Sequence, residues 1–230
     1  MPRAARVVAE GVPHPVTQRG NNRQETFLVD EDRRIYLQTL RAKRRQHGVA
    51  VLGYCLLTNH IHLVATPLHG GALARALGEA HWIYARYVNK RYGRSGHLWQ
   101  NRFNSCPLGT GQVVAALVYG DWNPLRAGLA GAAEQYPWSS ARKHLGGRDA
   151  ADLVEDRSWG ELGLEAEWRQ RLAAAAGGGQ EQELRRCTYA GTPCGPEAFV
   201  AELEQRTGRR LHPKPPGPEP GYKRGFAAAG

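Results

Sequence analysis

The chain has 230 residues, enough for one large domain or a domain with an appendage, and no apolar run approaches the length of a membrane span. Met1-Pro2-Arg3 leads into no signal-peptide apolar region, so a cytoplasmic protein is expected. The net charge of +10 is uneven: residues 1–145 hold 19 Lys/Arg against 8 Asp/Glu and the remainder 12 against 13, so the first part faces a polyanion, and without an amphipathic membrane anchor nucleic acid fits better than a lipid surface.

Four cysteines, Cys55, Cys106, Cys187 and Cys194, show no Cys-x-x-Cys spacing. Neither a zinc ribbon nor a disulfide framework is signalled, and reduced, mostly buried thiols are expected. In chain order, residues 12–20 read as a short strand that Pro13 and Pro15 confine to a sheet edge or a strand start. Asn21 and Asn22 then mark a turn. A helix begins at Asp30, with Asp30, Glu31 and Asp32 in its first turn and Arg41, Lys43, Arg44 and Arg45 towards its end, and Gly48 stops it. Residues 49–57 are nearly all apolar, as a central strand buried on both faces would be.

Thr58 and Asn59 turn the chain into an antiparallel return strand carrying His60-Ile61-His62. Successive strand residues point to opposite faces, so His60 and His62 share one face about 7 Å apart at the backbone, within reach of one divalent metal. Ile61 anchors the other face. Alone, the pair is a weak signal and fits better a strand with two partly exposed histidines, which only a nearby third group with a chemical role would displace.

Residues 71–92 form the clearest helix, with Leu73, Leu77, Ala80, Tyr84, Tyr87 and Val88 recurring at three and four. The following segment, 93–103, mixes glycine, base and aromatics, as single-strand binding surfaces do, or as a loop does that packs Trp99 and Phe103 into the core. Residues 103–108 read as a further strand. The next helix, 112–122, must end at Asn123, because Pro124 disfavours helical backbone in the residue before it. It places Val114, Leu117, Val118 and Asp121 on one side and Gln112, Ala115, Ala116, Tyr119 and Asn123 on the other, leaving Tyr119 prominent among small neighbours. Beyond Tyr136-Pro137-Trp138-Ser139-Ser140 the composition shifts to Ala, Gly and Glu. Residues 173–179 read as a linker, 196–207 as a short helix closed by Gly208, and the Pro- and Gly-dense tail from 213 as disordered. There is no internal repeat.

Taken jointly, 16–22, Tyr54 through Leu63 with its His-Ile-His core, Arg91-Tyr92-Gly93 with Gly96-His97-Leu98-Trp99 and Arg102-Phe103, and Tyr119 through Asn123-Pro124-Leu125-Arg126-Ala127-Gly128 resemble the single-tyrosine transposases with a His-hydrophobic-His motif. Within them the REP-associated tyrosine transposases are the nearest in pattern. The resemblance implies an α+β fold, a ferredoxin-like antiparallel sheet with flanking helices, plus a small helical C-terminal extension. Together with the shift in composition after Ser140 and the Pro- and Gly-dense tail, it divides the chain into a catalytic domain over 1–145, an extension over 146–212 and a tail over 213–230. It further implies a Mg²⁺- or Mn²⁺-dependent endonuclease and strand transferase on hairpin-forming single-stranded DNA, working as a monomer or homodimer. Tyr119 would be the nucleophile, His60, His62 and Asn123 the metal ligands, and Arg19, Arg94, Trp99, Arg102 and Arg126 DNA contacts. Two features depart from the family: Pro15 stands where a histidine is common, and Gly120-Asp121-Trp122 replaces an aliphatic-Glu-aliphatic run. Two rival readings share these residues: a hairpin-binding regulator that no longer cuts, and a metal hydrolase in which Tyr119 only packs.

Overall fold

The computed structural model describes residues 7–175 and 181–212. Four strands, β1 His14–Arg19, β2 Val49–Leu56, β3 His60–Pro67 and β4 Asn104–Ser105, form one antiparallel sheet in the order β2-β3-β1-β4. Helix α1, Asp30–Gln46, connects β1 to β2, and α2, Ala72–Arg91, connects β3 to β4. That succession is the βαββαβ unit of the ferredoxin-like fold, as the sequence led one to expect. Helix α3, Thr110–Arg126, and the short α4, Ala141–His144, follow; then come α5 Asp156–Gly160, α6 Trp168–Ala174, α7 Glu181–Ala190 and α8 Glu197–Thr207. The linker read at 173–179 is helical as far as Ala174, residues 176–179 lie outside the described residues, and so does the tail from 213.

Each long helix forms for reasons visible in its residues. Asp32, fully buried in the first turn of α1, accepts hydrogen bonds from the backbone of Leu28 (2.9 Å) and Val29 (3.1 Å) and from the hydroxyls of Tyr87 and Tyr92 on and just after α2. One carboxylate therefore caps α1 and ties its start to the end of α2. Burial works to raise the Asp32 pKa, but the hydrogen bonds from Tyr92, Val29, Leu28 and Tyr87 outweigh it and hold the carboxyl below its usual value. Beneath that junction, Phe27, Tyr36 and Tyr84 pack edge-on or tilted at 5.2–5.5 Å, the offset geometry aromatic quadrupoles favour.

Three local expectations are corrected. Residues 49–57 are buried throughout, yet β2 is an edge strand; its outer edge is closed by other backbone, with Ser140 N donating to Tyr54 O (2.9 Å), Leu56 N to Trp138 O (2.9 Å) and Glu155 N to Val51 O (2.7 Å). β1 lies inside the sheet with its prolines at the strand start, as expected: Pro13 precedes it, and β4 pairs only with Val16 and Thr17 and asks no amide of Pro15. The strand expected at 103–108 is correspondingly cut to Asn104–Ser105, since Pro107 offers no N–H to extend it. Finally, α3 runs through Pro124 to Arg126 rather than ending at Asn123. Asn123 and Pro124 are buried, and Ala127 N closes the last turn on Asn123 O at 3.0 Å, so packing overrides the local preference.

How close α3 lies to the sheet is set by Gly53 on β2. A Cβ built there would stand 2.6 Å from Leu117 Cδ2, 3.0 Å from His144 Cε1 and 3.1 Å from Ser140 Oγ, all parts of a packed interior. Gly53→Ala is therefore expected to destabilise by about 1–3 kcal/mol through overpacking, read as a lowered urea midpoint. An unchanged midpoint would show that α3 can lift without cost.

Residues beyond 145 pack into the same core as those before it. Trp159 and Trp168, both fully buried, meet edge-to-face at 5.1 Å, and the His144 ring stacks on Trp159 at 4.1 Å and stands edge-on to Trp168 at 5.3 Å. Asp121 of α3 gathers this cluster: it accepts from Trp168 Nε1 (2.9 Å) and Ser140 Oγ (3.4 Å) and pairs with His144 Nδ1 (2.7 Å). The Asp121 departure noted in the sequence is thus the seat of a buried polar network joining α3, α4 and α6.

Candidate active site

The pleat puts Pro15, Thr17 and Arg19 of β1 beside Val64, His62 and His60 of β3, pair by pair in the ladder, on one face of the sheet. Ile61 and Leu63 point the other way and are buried. The two imidazoles stand 5.0 Å apart between ring centroids, at 79°. Helix α3 crosses the same face and brings Tyr119 edge-on to His62, 5.2 Å between centroids at 89°. Tyr119 is half-buried at the border of the sheet-facing side of α3 rather than standing clear of it. Asn123, one turn further, is buried on the same side.

Hydrogen bonding prepares the histidines. His60 Nδ1 lies 2.6 Å from Asn59 Oδ1, and the Asn59 amide nitrogen donates to Arg23 O at 3.0 Å. Because Arg23 O can only accept, the amide must turn its oxygen to the ring. His60 Nδ1 then carries the proton, and its Nε2 keeps a free lone pair. His62 Nε2 is buried with no hydrogen-bond partner. Burial, helped by Arg19 and Arg185, lowers His60 to about 4; burial, then His60, Arg19, Arg185 and Arg126, lowers His62 to about 3. Both rings are neutral at physiological pH, the form that ligates metals.

A divalent cation fits this set. Two neutral imidazoles line one pocket with Tyr119, and an unpartnered buried nitrogen is the kind of group a metal satisfies. Asn123 Nδ2 is buried and its amide lies beside the Tyr119 hydroxyl; Asn123 is not among the residues that line the pocket His60 and His62 share.

The phenol's surroundings are divided. Burial raises the Tyr119 pKa most, and Glu181 adds to that; Arg185, Arg126 and the Asn123 amide act in the opposite sense, leaving it above its ordinary value. Arg126 lies over the Tyr119 ring, 5.2 Å from the centroid, and is ion-paired with Glu181, which also meets Arg185 at 3.5 Å. Helix α7 thereby supplies one wall of the pocket through Leu184, Arg185, Thr188 and Tyr189. None of these was anticipated. An amphipathic helix 60 residues downstream carries no local sign of what it covers.

Residues 14–119 match the family model described as transposase, IS200-like. This stretch is similar to IS200-like transposases. No curated protein matches the chain significantly in sequence. Among solved structures, a REP-associated tyrosine transposase bound to a REP hairpin superposes with a TM-score of 0.55 at 17% identity, over 64% of this chain and 86% of that one. A candidate transposase from Deinococcus radiodurans aligns with a TM-score of 0.34 at 18% identity, over 45% of this chain and 83% of that one. The first of these shares the fold described above.

The structure presents its remaining candidates unequally. Arg19 lines the pocket and also a second, larger groove with Arg102, Arg209 and Arg210, and Thr17, Thr188 and the exposed Tyr189 border both. A basic path thus leads away from the histidines and the tyrosine. Arg94 is exposed and stacks on Tyr92 at 5.8 Å, away from both cavities. Trp99 is set in the aromatic core instead, 4.9 Å from His81 and 6.0 Å from Tyr36, with its indole N–H donating to His81 O (3.1 Å). Among the described residues no helix is long and apolar enough to cross a membrane.

Proposed function

We propose that the chain is a metal-dependent single-stranded DNA endonuclease and strand transferase, acting on hairpin-forming DNA through a 5′-phosphotyrosine at Tyr119. The observation that carries this reading is the edge-on packing of Tyr119 against His62, with His60 alongside and His62 Nε2 buried and unpartnered. His60, His62 and Asn123 would hold Mg²⁺ or Mn²⁺. Such an ion supplies Lewis acidity at a non-bridging phosphate oxygen and favours the phenolate. The Tyr119 oxygen attacks phosphorus as the bond to the 3′ oxygen breaks, and the phenol's proton ends on that oxygen. A 3′-hydroxyl of another strand reverses the step and rejoins the DNA, so no nucleotide cofactor is consumed. Arg126 and Arg185, flanking the phenol, favour its ionised form and offset part of what burial costs. Support for the substrate class comes from the basic groove and from the hairpin held by the structurally similar transposase.

Two results test this. Cleavage of a labelled single-stranded hairpin should require added Mg²⁺ or Mn²⁺ and stop with chelator; cleavage undiminished in chelator would overturn the metal role. Hairpin affinity should exceed that for duplex of equal length and fall about a thousandfold between low and physiological salt if half a dozen phosphates are contacted. Affinity insensitive to salt would remove the groove from the account.

A further inference from the structure

Outside the site just described, the fold gathers chemistry that the spacing of the cysteines conceals. Glu183 and Cys187 lie four residues apart on α7, hence on one face of it. After α7 the chain turns back at Gly191, whose φ of +72° suits glycine, with Gly191 N and Thr192 N both bonded to Cys187 O. The returning strand-like segment places Cys194 against the stretch after β4: Cys194 N donates to Pro107 O (2.9 Å) and Gly109 N to Cys194 O (2.8 Å). Cys106, next to Pro107, is thereby brought to the same spot. The ligand atoms of Glu183, Cys187 and Cys194 all lie within 4.8 Å of one another. Cys106, Cys187 and Cys194 are buried, whereas Glu183 is exposed and gives the cluster a way in from solvent. Cys106 Sγ lies 3.7 Å from Thr188 Oγ1, next to Cys187 on α7, and so stands beside the group of three rather than within it. The fourth cysteine, Cys55, lies elsewhere, packed with Leu57 and Tyr136.

We propose that Cys187, Cys194 and Glu183, with Cys106 as a fourth ligand once its thiol turns from Thr188, form a structural zinc site that clamps α7 and the 191–195 segment to the sheet. Three sulfurs and a carboxylate suit a tetrahedral Zn²⁺ with no open position, distinct from the imidazole and amide set beside Tyr119. Sulfur–sulfur distances in such a site are slightly under 4 Å, so the observed cluster needs only side-chain adjustment. Binding exchanges thiol protons for zinc–sulfur bonds, with the protons released to solvent and no change of oxidation state. Because α7 carries Arg185 and Glu181, the clamp also fixes the wall of the catalytic pocket.

The full chain, purified under reducing conditions, loaded with zinc and dialysed, is measured for bound metal beside Cys187→Ala/Cys194→Ala and Cys55→Ala. The expected result is one zinc ion fewer per chain in the double variant and no loss in Cys55→Ala. Cobalt loading provides an independent readout: a thiolate-to-cobalt charge-transfer band should be present in wild type and Cys55→Ala and absent in the double variant, which separates this site from imidazole-bound cobalt at His60 and His62. Equal zinc in wild type and double variant, no charge-transfer band, or a Cys187–Cys194 disulfide whose reduction restores no metal uptake would each overturn the proposal. If the double variant fails to fold, the cobalt band of the wild type and of Cys55→Ala still decides.

Discussion

Tyr119→Phe is expected to abolish strand cleavage and covalent attachment to DNA while leaving hairpin affinity within about 1 kcal/mol, the contribution of a single hydroxyl. The ring packs on His62 and lies under Arg126, and phenylalanine keeps both contacts. Only the oxygen that would attack phosphorus is lost. His62→Ala is expected to abolish cleavage as completely but by removing a metal ligand, so its defect should accompany a loss of metal binding that Tyr119→Phe does not show. Tyr84→Phe and Tyr87→Phe, whose hydroxyls bond Thr26 O and Asp32, should keep cleavage. Cleavage retained by Tyr119→Phe would assign the nucleophile elsewhere.

The largest stability effect is expected at Asp121→Ala. Asp121 is 1% exposed, and its carboxylate is the shared acceptor of Trp168 Nε1, Ser140 Oγ and the His144 ring. Removing one member of a buried, hydrogen-bonded pair typically costs 3–5 kcal/mol, roughly, because its partners stay buried without it. For a domain whose total stability is about 5–15 kcal/mol, that corresponds to a fall in Tm on the order of 10 °C. Thermal unfolding followed by circular dichroism reads it directly. A shift under about 2 °C would mean the network relaxes onto water and is not a structural junction.

The sequence carried the parts of the fold that rest on local chemistry. The acidic first turn and basic last turn of α1, the stop at Gly48 and the three-and-four stripe of α2 all lie within a few residues of what they specify. The His-Ile-His alternation likewise fixed the shared face of His60 and His62, because strand pleat leaves no other arrangement. What was hidden depends on contacts between distant segments. An all-buried β2 looks central, and nothing nearby tells that Trp138, Ser140 and Glu155 close its edge. Pro124 reads as a helix end until the packing of Asn123 and Pro124 is known. Asp121 and Trp168 are 47 positions apart, though two tryptophans in so polar a segment were a sign that it was buried. Arg185 and Glu181 reach Tyr119 only once α7 is folded back over the sheet, and Cys187 meets Cys194 only once the chain turns back after α7.

The central claim, that Tyr119 becomes covalently joined to DNA beside a metal held by His60 and His62, is tested most directly by mapping the adduct. The wild-type chain is incubated with a labelled single-stranded hairpin and Mn²⁺, digested, and the DNA-bearing peptide identified by mass spectrometry. The account predicts one modified peptide, carrying a 5′-linked nucleotide on Tyr119 and absent when chelator is present. A nucleotide on any other residue, or cleaved DNA with no protein attached to it, would contradict it.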